Sequence, residues 1–203
     1  QARRKNLQNI APFRDIEGWL TDNEALGLYL TAARLAPGAK VVEIGSWQGK
    51  STYCLAKGLP SGKVYAIDPF NADWGADIDS KEEYTDRGSN KNMLEGFHER
   101  MTALGVNNKI VVKKGYSHNF RNDADLDGIH FLFIDGDHSL EGCGADYEFY
   151  APKIVKGGFI AFHDYYADRP QTGPTHVINN IVVPSGDFEF YKLEDSLWIG
   201  KKK

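Results

Sequence analysis

Cysteine is scarce in this chain, and so are the features that mark secreted and membrane proteins. Its 203 residues include two cysteines, Cys54 and Cys143, whose spacing fits neither a disulfide framework nor a metal-binding cysteine motif. No apolar run reaches the roughly 18 residues of a membrane-spanning helix, and no signal-peptide pattern opens the chain. We therefore expect a cytoplasmic protein without a membrane partner.

Positive charge is not in excess either. The formal net charge of −4 argues against a general nucleic-acid binder. Hydrophobic residues make up 41% of the chain, which is enough for an ordinary buried core. The length suits one domain over residues 1–203, with an irregular N-terminal arm over residues 1–14. A small molecule is then the expected partner, and assembly into a homo-oligomer is left open.

Apolar runs of strand length alternate with segments of helical periodicity. The expected strands lie at about 40–45, 63–68, 110–112, 129–134, 158–162, 187–192 and 196–200. The expected helices lie at about 22–35, with Thr21 as N-cap, and at 49–58, 90–104, 139–151 and 174–183. This alternation predicts an α/β fold with a doubly wound, Rossmann-like sheet that is mostly parallel. The short connection between the last two strands predicts a C-terminal antiparallel hairpin strand.

The run Val41–Ser51 joins a predicted strand to a predicted helix through a glycine-rich turn. A phosphate-binding loop needs one more residue between Gly45 and Gly49, and a dinucleotide fingerprint needs a glycine at position 47. The pattern that remains is E-x-G-x-x-x-G, in which Glu43 ends the strand. A carboxylate at that point suits a ligand with an amine or hydroxyls and disfavours a bare phosphate. The alternative is an ordinary glycine-rich turn of an α/β domain.

A second acid follows the next predicted strand. Asp68 stands about 20 residues beyond the glycine turn, where an acid in a doubly wound sheet typically binds ribose hydroxyls. The alternative is a turn-forming aspartate before Pro69. Because the strand and the glycine turn both agree with a ribose contact, we favour that role.

Polar groups also follow the fourth and fifth strands, whose carboxyl ends should meet at the ligand-binding edge of the sheet. Asp135, Asp137 and His138 come directly after strand four, and they suit a divalent cation, a ligand ammonium or acid–base chemistry. The alternative is a helix N-cap formed by Asp137 or Ser139.

His163 and Asp164 come directly after strand five. With Asp135 they form a mixed set that Mg²⁺ can accept, although the imidazole suits Mn²⁺, Fe²⁺ or Zn²⁺ better. The alternative is that the pair finishes the strand and bonds the following loop.

Four motifs, VVEIGSWQGKST, VYAIDPF, FLFIDGDHSLEG and GGFIAFHDY, carry a family resemblance over about residues 18–200. In this order and spacing the chain resembles the small class I S-adenosylmethionine-dependent methyltransferases. These group with macrocin-type sugar O-methyltransferases, cephalosporin-hydroxylase-like proteins and catechol-type O-methyltransferases. The motifs are specific for fold and cofactor and much less so for the methyl acceptor.

The resemblance implies roles for individual residues. The methionine part of S-adenosylmethionine would contact Glu43, Gly45, Ser46 and Gly49; the ribose would contact Asp68, with Ser117 near the adenine. Asp135, also near the cofactor, matches the family's first metal-binding carboxylate. His163 and Asp164 fall where metal-dependent members carry two acids or an acid and an amide. His163 departs from that pattern, so a metal-free, histidine-assisted route stays open beside one assisted by Mg²⁺ or Mn²⁺.

The expected reaction is methyl transfer to a hydroxyl of a sugar, glycoside or phenol-like molecule. His163, His138 and Asp135 are the catalytic candidates, with His163 slightly favoured over His138 as the base because it sits on a more rigid strand end. Residues 69–90 are expected to form a lid. A non-catalytic protein that binds S-adenosylmethionine and a metal-dependent hydroxylase are the alternatives.

Overall fold

The computed structural model describes residues 1–71 and 93–203. The strands are β1 (Ala39–Ile44), β2 (Gly62–Asp68), β3 (Ile110–Lys114), β4 (Ile129–Ile134), β5 (Ile154–Phe162), β6 (Phe188–Glu194) and β7 (Leu197–Lys202). The α-helices are α1 (Ala2–Asn9), α2 (Asp22–Ala33), α3 (Lys50–Gly58), α4 (Met93–Ala103), α5 (Leu140–Tyr150), α6 (Gly173–Val177) and α7 (Val183–Ser185). A π-helical stretch, Ile178–Val182, joins α6 to α7.

The strands of the described chain form one sheet in the order β3-β2-β1-β4-β5-β7-β6. Strands β1 to β5 pair in parallel, whereas β7 runs antiparallel to both β5 and β6. This arrangement confirms the predicted mostly parallel, Rossmann-like sheet with a C-terminal antiparallel hairpin. Since β2 and β4 flank β1 on opposite sides, the strand order reverses there, and a crevice opens at the carboxyl ends of β1 and β4.

The sheet separates two hydrophobic layers. Successive strand residues point to opposite faces, so neighbours such as Val41 and Val42, or Phe131 and Leu132, enter different layers. Central strands covered on both faces read as continuous apolar runs, and this explains why β4 carries the sequence IHFLFI. The polar groups of the central strands are therefore confined to the strand ends.

The N-terminal arm is helical, which corrects the prediction that residues 1–14 are irregular. Helix α1 is followed by a 3₁₀ helix, Ala11–Asp15. Helix α1 buries none of its residues, so it lacks the apolar periodicity that reveals a helix in sequence. The segment beyond it is anchored in the core, where Ile10, Phe13 and Ile16 are buried.

The N-terminus of α2 is capped by Thr21, as predicted. The Thr21 hydroxyl accepts from the Glu24 backbone N–H at 3.2 Å, and the Glu24 carboxylate accepts from the Thr21 N–H at 2.9 Å. The expected lid over residues 69–90, with Trp74 and Tyr84, lies almost entirely outside the described residues. No helix within the two described ranges is both long and apolar enough to cross a membrane.

A close backbone approach at Gly45 generates the first prediction. Gly45 has φ +90°, and a Cβ placed on it would lie 2.0 Å from the Asp135 carbonyl oxygen. Gly38 has a similar φ of +82° but has no atom within 4 Å of the same position. The substitution Gly38→Ala should therefore cost only the left-handed backbone strain, roughly 1–2 kcal/mol. The substitution Gly45→Ala must also push β1 from β4, so it should cost more than about 4 kcal/mol or prevent folding.

Urea denaturation of the two variants measures this difference. Equal losses of unfolding free energy would contradict a steric role for Gly45.

Candidate functional site

A cleft of about 1480 Å³ opens at the carboxyl edge of the sheet. Its wall includes these residues predicted from the sequence: Gly45, Ser46, Asp68, Ser117, Asp135, His138, His163 and Asp164. Among the described residues the wall holds seven carboxylates, from Glu17, Glu24, Asp68, Asp135, Asp137, Asp146 and Asp164, but only two fixed cations, Lys50 and Arg169. The cleft is therefore strongly acidic and suits a ligand that carries positive charge.

The turn from Gly45 to Gly49, which we term the glycine loop, lines the cleft through Gly45 and Ser46 but not through Gly49. Gly49 precedes α3 at φ +92°, and a Cβ there would lie 2.8 Å from the Met101 Cε. Its role in the described structure is to let α3 pack closely against α4. The contact with a ligand that was predicted for Gly49 therefore stays a prediction.

Glu43 is fully buried beneath the same loop and does not line the cleft. Its carboxylate accepts hydrogen bonds from the hydroxyls of Ser46 at 2.7 Å, Ser51 at 2.5 Å, and Thr52. Burial raises the pKa of Glu43 to about 7, against the opposing effect of these three donors. This geometry favours a residue that ties the loop to the start of α3 over one that contacts a ligand directly.

Asp68 joins the end of β2 to the glycine loop. One carboxylate oxygen accepts from the Trp47 backbone N–H at 2.8 Å, and the other accepts from the Phe70 N–H at 2.6 Å. Burial raises the pKa of Asp68 while these backbone donors lower it. Each carboxylate oxygen can accept more than one hydrogen bond, so Asp68 can still receive a hydroxyl from the cleft.

Two imidazoles and two carboxylates, from Asp135, His138, His163 and Asp164, form what we term the acid–imidazole cluster. His138 Nε2 lies 3.3 Å from Asp135 Oδ1 and 3.3 Å from Asp164 Oδ2. His163 Nδ1 lies 3.3 Å from the same two oxygens. Asp164 adopts φ +61°, a left-handed conformation that non-glycine residues rarely take and that clusters at functional sites.

The other nitrogen of His163 faces a third acid, Glu24. His163 Nε2 lies 3.2 Å from Glu24 Oε2, as an ion pair without the alignment of a hydrogen bond. Burial lowers the pKa of His163, but the charge and contacts of Asp135, Asp164 and Glu24 outweigh it and hold that pKa well above the usual value. His163 is therefore a buried imidazolium among three carboxylates.

Two segments that are far apart in the sequence, the cap of α2 and the β6–β7 turn, hold Glu24 in place. Besides capping α2, its carboxylate accepts from the Ser196 backbone N–H at 3.0 Å and the Ser196 hydroxyl at 2.7 Å. The neighbouring Asp195, in the turn of the β6–β7 hairpin, accepts from the Thr21 hydroxyl at 2.5 Å and from Asn23 at 3.1 Å. Burial raises the pKa of Glu24, yet contacts with His163, Ser196 and Thr21 lower it to about 2.

The cluster contains a set of residues that fits a divalent cation. Asp135, His138 and Asp164 each offer one ligand atom, and these atoms lie within 4.8 Å of one another. A mixed oxygen and nitrogen set suits Mn²⁺, Fe²⁺ or Zn²⁺ better than Mg²⁺. The sequence suggested His163 as the imidazole ligand, whereas the structure groups His138 with the two acids. His163, as an imidazolium, competes with a cation for the same carboxylates.

Two buried acids of the cleft wall escaped the sequence analysis. Glu24 is the capping-box residue of α2, and that local role is enough to explain an acid at this position. Asp146 lies within α5, where polar and apolar residues alternate without a clear pattern. Both are 3% exposed. The capping-box pattern in the sequence predicts only the local contact of Glu24 with Thr21. No local pattern predicts that Asp146 of α5 faces the loop after β3.

Tyr166 lines the cleft beside the acid–imidazole cluster. Its hydroxyl donates to Asp164 Oδ1 at 3.0 Å, and the Arg169 guanidinium lies 4.8 Å from its ring centroid. Tyr165 does not line the cleft and donates to Asn179 at 3.3 Å.

The sequence matches a protein-family model described as a methyltransferase domain over residues 42–165, which is more than half of the chain. This chain belongs to that family of methyltransferase domains. The matched range begins in β1 and ends just after β5, so it contains the glycine loop and the acid–imidazole cluster.

Solved structures agree with this assignment. The O-methyltransferase NovP superposes with a TM-score of 0.71 over 90% of this chain and 80% of its own, at 15% identity. The O-methyltransferase TomG from Streptomyces achromogenes, solved with S-adenosylmethionine, gives a TM-score of 0.66 over 100% and 90%, at 16% identity. An O-methyltransferase from Bacillus cereus, solved with S-adenosylhomocysteine, gives 0.65 over 99% and 90%, at 16% identity. At such identities the likeness establishes the class I methyltransferase fold.

An uncharacterised protein of Acanthamoeba polyphaga mimivirus is 30% identical over 161 residues, or 75% of this chain. The matched region spans 64% of the length of that relative.

The buried Glu43 predicts a pH dependence of stability. Its pKa rises from an ordinary 4.5 to about 7 on folding, so it favours the folded state below pH 4.5 and loses that contribution as the pH rises through 7. The loss should be on the order of 3 kcal/mol. The substitution Glu43→Gln removes the titrating group, so its unfolding free energy should vary less between pH 4.5 and 7 than that of the wild type.

Urea denaturation across this pH range measures the effect. Parallel pH profiles for the two proteins would contradict a buried, titrating Glu43.

Proposed function

We propose that this methyltransferase domain transfers the methyl group of S-adenosylmethionine to a hydroxyl of a small molecule. The observation that carries the proposal is the union of two features in one cleft. The glycine loop, Asp68 and Ser117 line the crevice where the strand order reverses, and the acid–imidazole cluster lies in the wall of the same cleft.

The charge of the cleft supports this cofactor. S-adenosylmethionine carries a sulfonium and an ammonium, and the described wall is rich in carboxylates. Asp68 would accept from the ribose hydroxyls, and Gly45 and Ser46 would lie along the methionine part. TomG and the Bacillus cereus enzyme, which share the fold, were solved with S-adenosylmethionine and S-adenosylhomocysteine respectively.

The transfer is an in-line displacement at the methyl carbon. The acceptor oxygen forms the new carbon–oxygen bond as the carbon–sulfur bond breaks, and its electron pair stays on sulfur to give neutral S-adenosylhomocysteine. The acceptor loses its hydroxyl proton to a base. Holding oxygen, methyl and sulfur in line contributes much of the rate enhancement.

We assign the base to His138, although the sequence slightly favoured His163. The His163 side chain is 6% exposed and its raised pKa keeps its proton in place near neutral pH. The His138 side chain is 23% exposed and lines the cleft, with Asp135 and Asp164 beside it to stabilise the imidazolium that forms. His163 then acts as a fixed positive charge that keeps these two acids in position.

A bound cation would give a second route on the same residues. Asp135, His138 and Asp164 would hold it, and it would supply a lowered pKa for the acceptor hydroxyl. His138 cannot be both a metal ligand and the base, so metal dependence separates the two routes.

The acceptor class proposed is a sugar, glycoside or phenol-like molecule. Tyr166 and Arg169 line the same cleft as the cluster, and the guanidinium, which lies over the Tyr166 ring, supplies hydrogen-bond donors that suit the oxygens of such a molecule.

Calorimetry with S-adenosylhomocysteine tests the cofactor. The wild type should bind it with a Kd in the micromolar range or below. Asp68→Asn should weaken binding about tenfold or more, because a carboxylate that accepts from ribose hydroxyls is replaced by an amide. The control is Asp127→Asn, an exposed residue paired with Lys153 outside the cleft wall.

For this cofactor test, the absence of wild-type binding, or equal binding by the Asp68 and Asp127 variants, would reject the proposed site.

Repeating the titrations with EDTA and with added Mn²⁺ tests whether a divalent cation takes part in binding.

Turnover with a panel of phenols and sugars tests the base. His138→Ala should lower kcat by about 10²–10⁴-fold while S-adenosylhomocysteine affinity changes little. The readout is S-adenosylhomocysteine release. A non-catalytic binding protein would retain cofactor affinity and give no turnover with any acceptor, and an undiminished kcat in the variant would remove His138 from the reaction.

A further inference from the structure

A buried acid beside the loop after β3 has no part in the chemistry described above. Asp146 is 3% exposed, lies in α5 and reaches the cleft wall together with Ala145 and Phe149 of the same helix. Among the described residues, no lysine or arginine pairs with it. A buried carboxylate without a cation is costly unless it is hydrogen-bonded, so the groups that bond Asp146 decide its role.

The partner of Asp146 is Ser117, at the start of the loop after β3. The Ser117 hydroxyl donates to Asp146 Oδ1 in a short hydrogen bond. Burial raises the pKa of Asp146 to about 7, and the Ser117 donor opposes that rise. At a pH well above 7 the carboxylate is ionised and can only accept, so the Ser117 hydroxyl must be the donor.

The serine is also fixed on its backbone side. The Tyr150 hydroxyl, one helical turn beyond Asp146, donates to the Ser117 carbonyl at 2.6 Å. Helix α5 therefore holds both the backbone and the hydroxyl rotor of Ser117.

A serine hydroxyl has one proton and two acceptor lone pairs. When the proton is committed to Asp146, the Ser117 Oγ can only accept a hydrogen bond from a ligand in the cleft. A 6-aminopurine presents an N–H donor at its exocyclic position, whereas a 6-oxopurine presents a carbonyl acceptor. Two acceptors facing each other leave both unsatisfied, and this costs binding free energy.

We propose that Asp146 is a specificity-positioning residue, which orients the Ser117 hydroxyl so that the cleft selects the exocyclic amine of adenine over the carbonyl of a 6-oxopurine nucleoside. This inference rests on the proposed function, because it assumes that the purine of the cofactor lies against Ser117.

The test compares two ligands that differ at this one position, S-adenosylhomocysteine and S-inosylhomocysteine, by calorimetry at pH 8.5. The wild type should prefer the adenine ligand by about tenfold to a hundredfold. In Asp146→Asn the amide can donate to Ser117, which frees the serine proton to turn towards a carbonyl. The preference should then fall to within about threefold of unity.

Two further variants keep the result interpretable. Ser117→Ala should also lose the preference, since the selecting group is gone. The exposed Asp127→Asn should keep the wild-type ratio. A merely structural effect of Asp146 would weaken both ligands equally and leave their ratio unchanged, and that result would overturn the inference.

The outcomes also separate this inference from the function on which it rests. If the wild type binds neither ligand, the proposed function fails and the inference fails with it. If the wild type binds both ligands equally well, or if Asp146→Asn and Ser117→Ala both keep the full preference, the cofactor site stands and only the role of Asp146 is rejected.

Discussion

The parallel hydrogen-bond ladder continues one residue beyond the strands, and the whole site depends on this. Gly45 donates its backbone N–H to Ile67 O at 2.9 Å, and Gly115 donates to Asp68 O at 3.0 Å. Asp135 donates to Ile44 O at 2.9 Å, and His163 donates to Ile134 O at 3.2 Å. Each residue that leaves a strand is thereby aligned with its neighbour, so groups far apart in sequence meet along one edge.

Electrostatics explain how so many acids tolerate each other there. His163 supplies a buried positive charge among Asp135, Asp164 and Glu24, which lowers the pKa of both Glu24 and Asp164. The imidazolium of His163 thus offsets the mutual repulsion of these carboxylates. His138, whose side chain is more exposed than that of His163, is the imidazole to which we assign the proton transfer in the proposed reaction.

The sequence predicted the sheet and most of the cleft because both follow from local signals. Apolar runs mark β1 and β4, and the residues that end those runs must lie at the carboxyl edge of a parallel sheet. Helical acids are harder, since Glu24 and Asp146 have the same local pattern as solvated residues and reveal their role only through tertiary contacts. For the same reason the sequence could not distinguish the buried His163 from the more exposed His138, because exposure depends on tertiary packing.

Glycines and the buried Glu43 show a similar limit. The motif does not separate residues that touch a ligand from residues that shape the loop. In the structure Gly49 meets α4 and Glu43 meets three hydroxyls, and both contacts shape the loop.

The docking of the β6–β7 turn on α2 has a consequence for protein engineering. Ser196 donates to Glu24, and Asp195 accepts from Thr21 and Asn23. The β6–β7 hairpin and α2 therefore form one wall behind His163. A circular permutation or an inserted tag that opens the chain within this turn would release the counter-ion of the imidazolium without touching any residue at the strand tips.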